Sequence, residues 1–327
     1  MGKTGLIRHI FHQIETEKQA KCYYVDLYKT DSLASLVEQL ANAVLGSLDT
    51  TKSKIVKQVT TFFKSLRPLF SYDPLTGVPT FMVDVKPELA DHSLGEIFSY
   101  MEQSGQQCVI AMDEFQTIAD YGNHNVEALL RSHIQQLNSV HFVFSGSQRH
   151  VLENMFASAN RPFYQSTQIF NLYEIEEQSY FEFAKKKLEA HRQQLPAEVF
   201  GYLYHILAGH TWYVQMLLNR LYESGEPSIS KAVVDKVLMG IVDENEATYQ
   251  TFMRLVTPAQ AKLLRAISRE GNVQQAFSQS FISQYGLGAT STIRSAIKTL
   301  VEKELVLDAQ GVYQVYDRFF ALWLKRK

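Results

Sequence analysis

An α/β fold followed by two smaller, mainly helical parts is what the order of apolar patterns in this 327-residue sequence predicts. Three observations carry that expectation. Over the first half of the chain, short apolar runs alternate with helical periodicities, as in a mostly parallel sheet covered on both faces. After Glu174 the strand-like runs stop and only helical spacing continues. From Thr257 three helical segments precede two short apolar segments around a turn, the sequence form of a winged helix.

The elements can be justified in order. Residues 21–27 (KCYYVDL) are short, aromatic and β-branched, which reads as a strand. Leu33, Leu36, Val37, Leu40 and Val44 then fall at helical spacing. Between residues 69 and 85 two apolar stretches flank Asp73-Pro74-Leu75-Thr76-Gly77, turn chemistry that predicts an inserted hairpin. A helix at 93–104 leads to a continuous apolar run at 107–112, the pattern of a strand buried on both faces. The alternation repeats as helix 126–137, strand 140–145, a helix from about Arg149 and a short strand at 169–172. Helices are expected at 178–192, 197–208, 212–223 and 231–245, then at 258–270, 278–285 and 291–303. Apolar segments at 305–307 and 312–315 close the pattern around Asp308-Ala309-Gln310-Gly311. The expected parts are an α/β core over 1–174, a helical part over 175–254 and a winged helix over 255–327.

Composition excludes several classes. With 46% hydrophobic and 20% charged residues, the chain is an ordinary globular one, neither fibrous nor depleted of core. No apolar run approaches the roughly 20 residues that a bilayer span needs. The N-terminus has no basic start, apolar stretch or small-residue cleavage site, so a cytoplasmic location is expected. Lys and Arg number 32 against 34 Asp and Glu, a balance that by itself predicts no nucleic-acid partner. Cys22 and Cys108 form neither a disulfide framework nor a metal-ligand spacing, and their strand-like surroundings predict buried, inert thiols.

Two motifs carry chemistry. Met1-Gly2-Lys3-Thr4-Gly5 opens a helical pattern, as does the second half of the nucleotide loop G-x-x-x-x-G-K-[ST]. In that reading Gly2 and Gly5 let the backbone approach a phosphate, and the helix start offers it unpaired N–H groups. Lys3 would neutralise the β- and γ-phosphates, and the Thr4 hydroxyl would ligate Mg2+. Taken alone, a Gly-Lys-Thr tripeptide fits a frayed terminus equally well. The second motif, Val109-Ile110-Ala111-Met112-Asp113-Glu114, is an apolar strand ending in two acids, the Walker B form. Asp113 would hold Mg2+ through water and Glu114 would polarise the attacking water. A strand followed by an acidic helix cap is the plainer alternative, but both motifs at this separation make coincidence a poor account. The strand His141-Phe142-Val143-Phe144 ends in Ser145-Gly146-Ser147, which a simple strand-to-helix turn explains; a resemblance to P-loop ATPases of the AAA+ kind would make Ser145 the candidate γ-phosphate sensor.

With these residues assembled, the chain resembles the archaeal-type ATPase family of the STAND/AAA+ superfamily, common in prokaryotes. The matching stretches are Met1-Gly2-Lys3-Thr4, Val25-Asp26-Leu27, Ala111-Met112-Asp113-Glu114-Phe115-Gln116 and Phe144-Ser145-Gly146-Ser147. Arg161-Pro162-Phe163-Tyr164, Gly209-His210-Thr211-Trp212-Tyr213 and the closing stretch Tyr313 to Leu324 continue the match. The resemblance implies a P-loop NTPase (AAA+-like) core with a helical lid and a C-terminal winged helix, ATP and Mg2+ as cofactors, and a nucleotide-driven switch. It favours ATP over GTP, there being no Asn-Lys-x-Asp motif.

Two departures bear on these implications. The family carries a complete first strand and a Gly-rich lead-in before Gly-Lys-Thr. The resemblance places that strand in mid-sheet beside the Walker B strand; a start within the phosphate loop would weaken nucleotide binding. Many relatives also carry an arginine just after the tyrosine that matches Tyr164, where this chain has Gln165-Ser166. Arg161 and Arg149 are the nearby substitutes for touching the γ-phosphate, and both fit a structural role as well. The rival reading is a winged-helix DNA-binding or regulatory protein with a degenerate ATPase half. Arg294, Lys298 and Lys303 lie on the candidate recognition helix, which leaves DNA and protein partners both open.

Overall fold

The computed structural model describes residues 2–46, 63–72, 79–122, 125–309 and 311–326. They fall into two units, Gly2–Asn171 and Leu172–Lys327.

The first unit opens with helix α1 (Lys3–Thr16), strand β1 (Lys21–Asp26) and helix α2 (Leu33–Gly46). Strands β2 (Leu66–Tyr72) and β3 (Pro79–Val85) pair antiparallel, with Leu66 opposite Val85, so the expected hairpin forms. Its turn, 73–77, lies outside the described residues. Two polar side chains of α2 accept amides of β3: Asn42 Oδ1 from Val83 and Glu38 Oε1 from Val85, each at 3.0 Å. Those N–H groups would otherwise face an apolar helix unpaired. Helix α3 (Ala90–Gln103), strand β4 (Cys108–Asp113), helix α4 (Val126–Ile134), strand β5 (Val140–Phe144) and helix α5 (Arg149–Ala157) complete the unit.

The main sheet has the order β1-β4-β5 and is parallel throughout. Tyr24 stands opposite Ala111, and Ala111 opposite Val143. Because side chains alternate along a strand, this register fixes two different faces. Cys22, Tyr24, Val109 and Ala111 share one face, on which Ile7 and Phe11 of α1 pack. Tyr23, Val25, Ile110, Met112, Phe142 and Phe144 share the other, within a larger core that includes Leu36, Leu94, Phe98 and Leu130. Cys108 is buried and Cys22 half-buried, and burial pushes both thiols up, Cys22 to about 11.

One expectation is corrected here. Strand β4 is paired on both edges, by β1 and β5, and the outer edges among the described residues are those of β1 and β5. Residues 169–172 form no strand, and Ile169 and Phe170 are 50% and 77% exposed. A strand needs a neighbour to take its N–H and C=O groups. No described strand runs beside this segment.

The second unit contains helices α6 (Glu177–Glu189), α7 (Ala197–Ile206), α8 (Thr211–Glu223), α9 (Lys231–Glu244) and α10 (Glu246–Arg254). Gly209, at φ +67°, closes α7 by donating to Tyr204 O at 2.8 Å; a Cβ there would meet the Tyr204 ring at 2.7 Å. Helix α11 (Pro258–Glu270) starts with a capping box in which Thr257 and Gln260 satisfy each other's backbone N–H groups. Helices α12 (Gln279–Tyr285) and α13 (Thr290–Glu302) follow, then the antiparallel pair β6 (Val306–Ala309) and β7 (Val312–Val315). Three helices and a two-stranded wing make a winged helix. The closing helix α14 (Arg318–Arg326) was not read as a helix from periodicity. Phe320 and Trp323 set it against Tyr249 of α10, with ring centroids 5.3 and 5.9 Å apart. One apolar core, including Leu203, Leu217, Leu264, Ile297 and Leu324, runs through the whole unit.

Candidate nucleotide site

The site is built where α1 begins and where β1, β4 and β5 end. Gly2 precedes α1 at φ 98°, in the left-handed region that favours glycine. The helix has no side-chain cap and no acid in its first turn. Its first N–H groups are therefore open to an anion, and the helix dipole favours one there. Lys3 and Thr4 are half-buried; no ion pair holds Lys3 among the described residues. Gly5 is exposed, and nothing lies within 4 Å of where its Cβ would stand.

Asp113, the last residue of β4, is only 4% exposed and collects four donors. The Thr4 hydroxyl reaches Oδ2 at 2.6 Å and the Tyr24 hydroxyl reaches the same oxygen at 2.5 Å. Oδ1 accepts the Ser145 hydroxyl and, at 3.1 Å, the Glu114 backbone N–H. Burial alone would raise the Asp113 pKa, but the bonds from Ser145, Thr4, Tyr24 and Glu114 together hold it below the usual carboxylate range. The charged form is thus the one that this pocket is built to keep. Burial, and then the bond to Asp113, push the Tyr24 phenol up to about 12, so it stays a donor at neutral pH.

The strand ends are stitched together by the backbone. Ser145 N donates to Met112 O at 3.0 Å and Phe115 N to Ser145 O at 2.9 Å, which fixes Ser145 beside Asp113. Glu114 sits between these bonds at φ 54° and ψ 40°, a left-handed conformation that costs a non-glycine residue roughly 1–2 kcal/mol. This turn directs its carboxylate away from Asp113, toward Ser147, whose hydroxyl donates to Oε2 at 2.8 Å and whose N–H does so at 3.2 Å. Gln116 Nε2 donates to the same oxygen, while Gln116 Oε1 is buried without a partner.

The residues singled out in the sequence are therefore brought together in part. Thr4, Asp113 and Ser145 meet directly, and Glu114 stands next to them. Arg161 does not join them: its guanidinium pairs with Glu127 of α4, whose carboxyl is raised by burial despite that partner. The Arg149 side chain lies outside the described residues. The sequence marks Tyr24, Gln116 and Ser147 only as strand or motif residues. The signal for Tyr24 is visible once the register is known, since residues 22 and 24 share the face of 109, 111 and 113.

Gly146 is small for a definite reason. A Cβ there would lie 1.9 Å from Gln116 Oε1 and 2.9 Å from Leu152 Cδ1. Gly146→Ala should therefore push Gln116 off Glu114 and cost about 1–3 kcal/mol, as overpacking does. A urea melt with an unchanged midpoint would show that Gln116 moves aside freely.

On the winged helix two of the three candidate cations, Arg294 and Lys303, contact groups of the unit, and Lys298 is exposed. Arg294 stacks 4.7 Å from the Phe277 ring centroid, Lys298 lies 3.9 Å from Glu302, and Lys303 Nζ donates to Leu255 O at 2.6 Å.

These features define the class: a P-loop ATPase fold with a parallel sheet and many helices, carrying a C-terminal winged helix. The chain is similar to the Walker-type ATPase PABY2304 of Pyrococcus abyssi, with 16% identity, a TM-score of 0.59, and coverage of 99% of this chain and 88% of that one. It is also similar to the Aeropyrum pernix ORC2 protein, solved as ADPNP–ADP complexes, with 15% identity, a TM-score of 0.51, and coverage of 99% and 83%. Residues 247–326 match the family model described as "Probable winged helix domain". No curated protein matches the chain. Among the described residues no helix is long and apolar enough to cross a membrane.

Proposed function

We propose that this chain binds Mg-ATP at the start of α1, hydrolyses it slowly, and works as a nucleotide switch whose output module is the winged helix. One observation carries the reading: the Thr4 hydroxyl and the Asp113 carboxylate, 109 positions apart in sequence, meet at 2.6 Å. A chance Gly-Lys-Thr and a chance Asp-Glu have no reason to converge. The donor set also suits the ligand. Open N–H groups and Lys3 offer positive charge to phosphates, while Thr4 and Asp113 offer hard oxygens to Mg2+. When bound, the cation would neutralise phosphate charge.

In this reading Lys3 holds the β- and γ-phosphates and Asp113 keeps the Thr4 hydroxyl oriented. Ser145 fixes Asp113, and Glu114 takes the proton of a water once its carboxylate leaves Ser147. Arg161 would have to leave Glu127 to touch a phosphate, which supports a structural role for it. The contacts of Arg294 and Lys303 within the unit support a protein contact for the winged helix over DNA.

Isothermal calorimetry with Mg-ATP tests the reading. The wild-type chain should bind, and Lys3→Ala should weaken binding by tenfold or more, as loss of a charge-assisted bond to phosphate does. Equal affinity of the two proteins would remove α1 as the phosphate site.

A further inference from the structure

A carboxylate offers about four acceptor positions, two on each oxygen. On Asp113 all four are filled: Thr4 and Tyr24 on Oδ2, Ser145 and the Glu114 N–H on Oδ1. A cation-bound water reaches Asp113 only if one donor leaves. The Glu114 N–H is fixed by the backbone. The Ser145 hydroxyl bonds Oδ1, the oxygen that Thr4 does not use. Thr4 shares Oδ2 but is the proposed cation ligand, and its hydroxyl can keep donating to Asp113 while its oxygen faces a cation. Tyr24 is the remaining donor on Oδ2, the oxygen it shares with Thr4 and so the one nearest the proposed cation ligand.

We propose that Tyr24 is a positioning residue that competes with the cation: its hydroxyl holds the Oδ2 position that a cation-bound water would otherwise take, so cation capture requires Tyr24 to let go. The inference rests on the Mg-nucleotide reading of the site. The surroundings of Tyr24 suit such a part. It reaches Asp113 diagonally across the β1–β4 register, on the face that α1 covers. Arg8, one helical turn beyond Thr4, stacks its guanidinium 4.8 Å from the Tyr24 ring centroid. The ring is thus clasped by the helix that carries Lys3 and Thr4, and the clamp couples the start of α1 to the end of β4. Tyr24 contacts none of the reacting atoms in this scheme; it acts through Asp113.

The test is Mn2+ affinity in the presence of ADP, read by electron paramagnetic resonance on the full chain, for wild type and Tyr24→Phe. Phenylalanine keeps the ring, its packing and the Arg8 stack, and removes only the donor. A circular-dichroism melt establishes that the variant is folded. Freed of a bond to a charged acceptor, Asp113 should gain the cation about tenfold more tightly. A merely structural tyrosine would move affinity the other way, because a loosened Asp113 binds less well. If wild type binds and Tyr24→Phe binds equally or more weakly, the competition is overturned while the nucleotide reading stands. If only Tyr24→Phe binds, the proposal is upheld in its strongest form. If neither protein binds Mn-ADP, the nucleotide reading fails and this inference falls with it.

Discussion

Glu114→Gln is expected to lower ATP turnover by about 10²–10⁴-fold while leaving Mg-ATP affinity within a factor of about three, the range for loss of a positioned general base. Glutamine has nearly the shape of glutamate and still accepts from Ser147, so the left-handed turn at residue 114 and its stitching to β5 should survive. What is lost is the ability to take a proton. Single-turnover kinetics with calorimetry on the same protein would separate the two effects. Equal loss of affinity and turnover would mean that Glu114 supports the loop and is not the base. Retained turnover would remove it from the chemistry altogether. The resting contact with Ser147 and Gln116 sharpens the expectation, since a base tied by three donors to one oxygen has to be released before it can work.

The second large effect is on stability. Phe115→Ala should cost about 3–5 kcal/mol, the usual range for emptying a buried phenylalanine site. Phe115 is 0% exposed and follows Glu114 directly. Its ring lies 4.3, 5.5 and 5.8 Å from those of Phe144, Phe163 and Phe156. The same four rings also contact one another, so removing the central one leaves a cavity that rigid neighbours fill poorly. Both tryptophans, Trp212 and Trp323, lie in the other unit, so circular dichroism or hydrogen exchange at 108–115 is the appropriate probe. A loss under about 1 kcal/mol would show that the cluster relaxes, and that the Walker B turn is held mainly by its backbone bonds.

Sequence reading reached most of the elements because their signals are local. The run at 108–112 is apolar throughout, and β4 is paired on both sides and covered on both faces. Helix α11 is legible at 258–270, and the structure closes its start with a capping box between Thr257 and Gln260. Residues 169–172 misled for the same reason: β-branched and apolar side chains signal a strand, whereas strand formation depends on a neighbour that only the folded sheet supplies. Helix α14 was hidden differently. The sequence gives no helix there, and the structure sets its aromatic residues against Tyr249 and Phe252 of α10.

The site divides along the same line. Lys3, Thr4, Asp113 and Glu114 stand out in the sequence because a phosphate and Mg2+ site would demand those residue types in short, ordered motifs at strand ends and helix starts. By itself the sequence determined which residues are candidates for the proposed chemistry and the alternation that folds into a parallel sheet. Only the tertiary structure decided that Tyr24 shares an oxygen of Asp113 with Thr4, that Ser147 holds Glu114, and that Arg161 belongs to Glu127. Each of those contacts joins residues more than thirty positions apart. Their meeting depends on strand order and register, which come from packing of the whole sheet and leave no local trace in the chain.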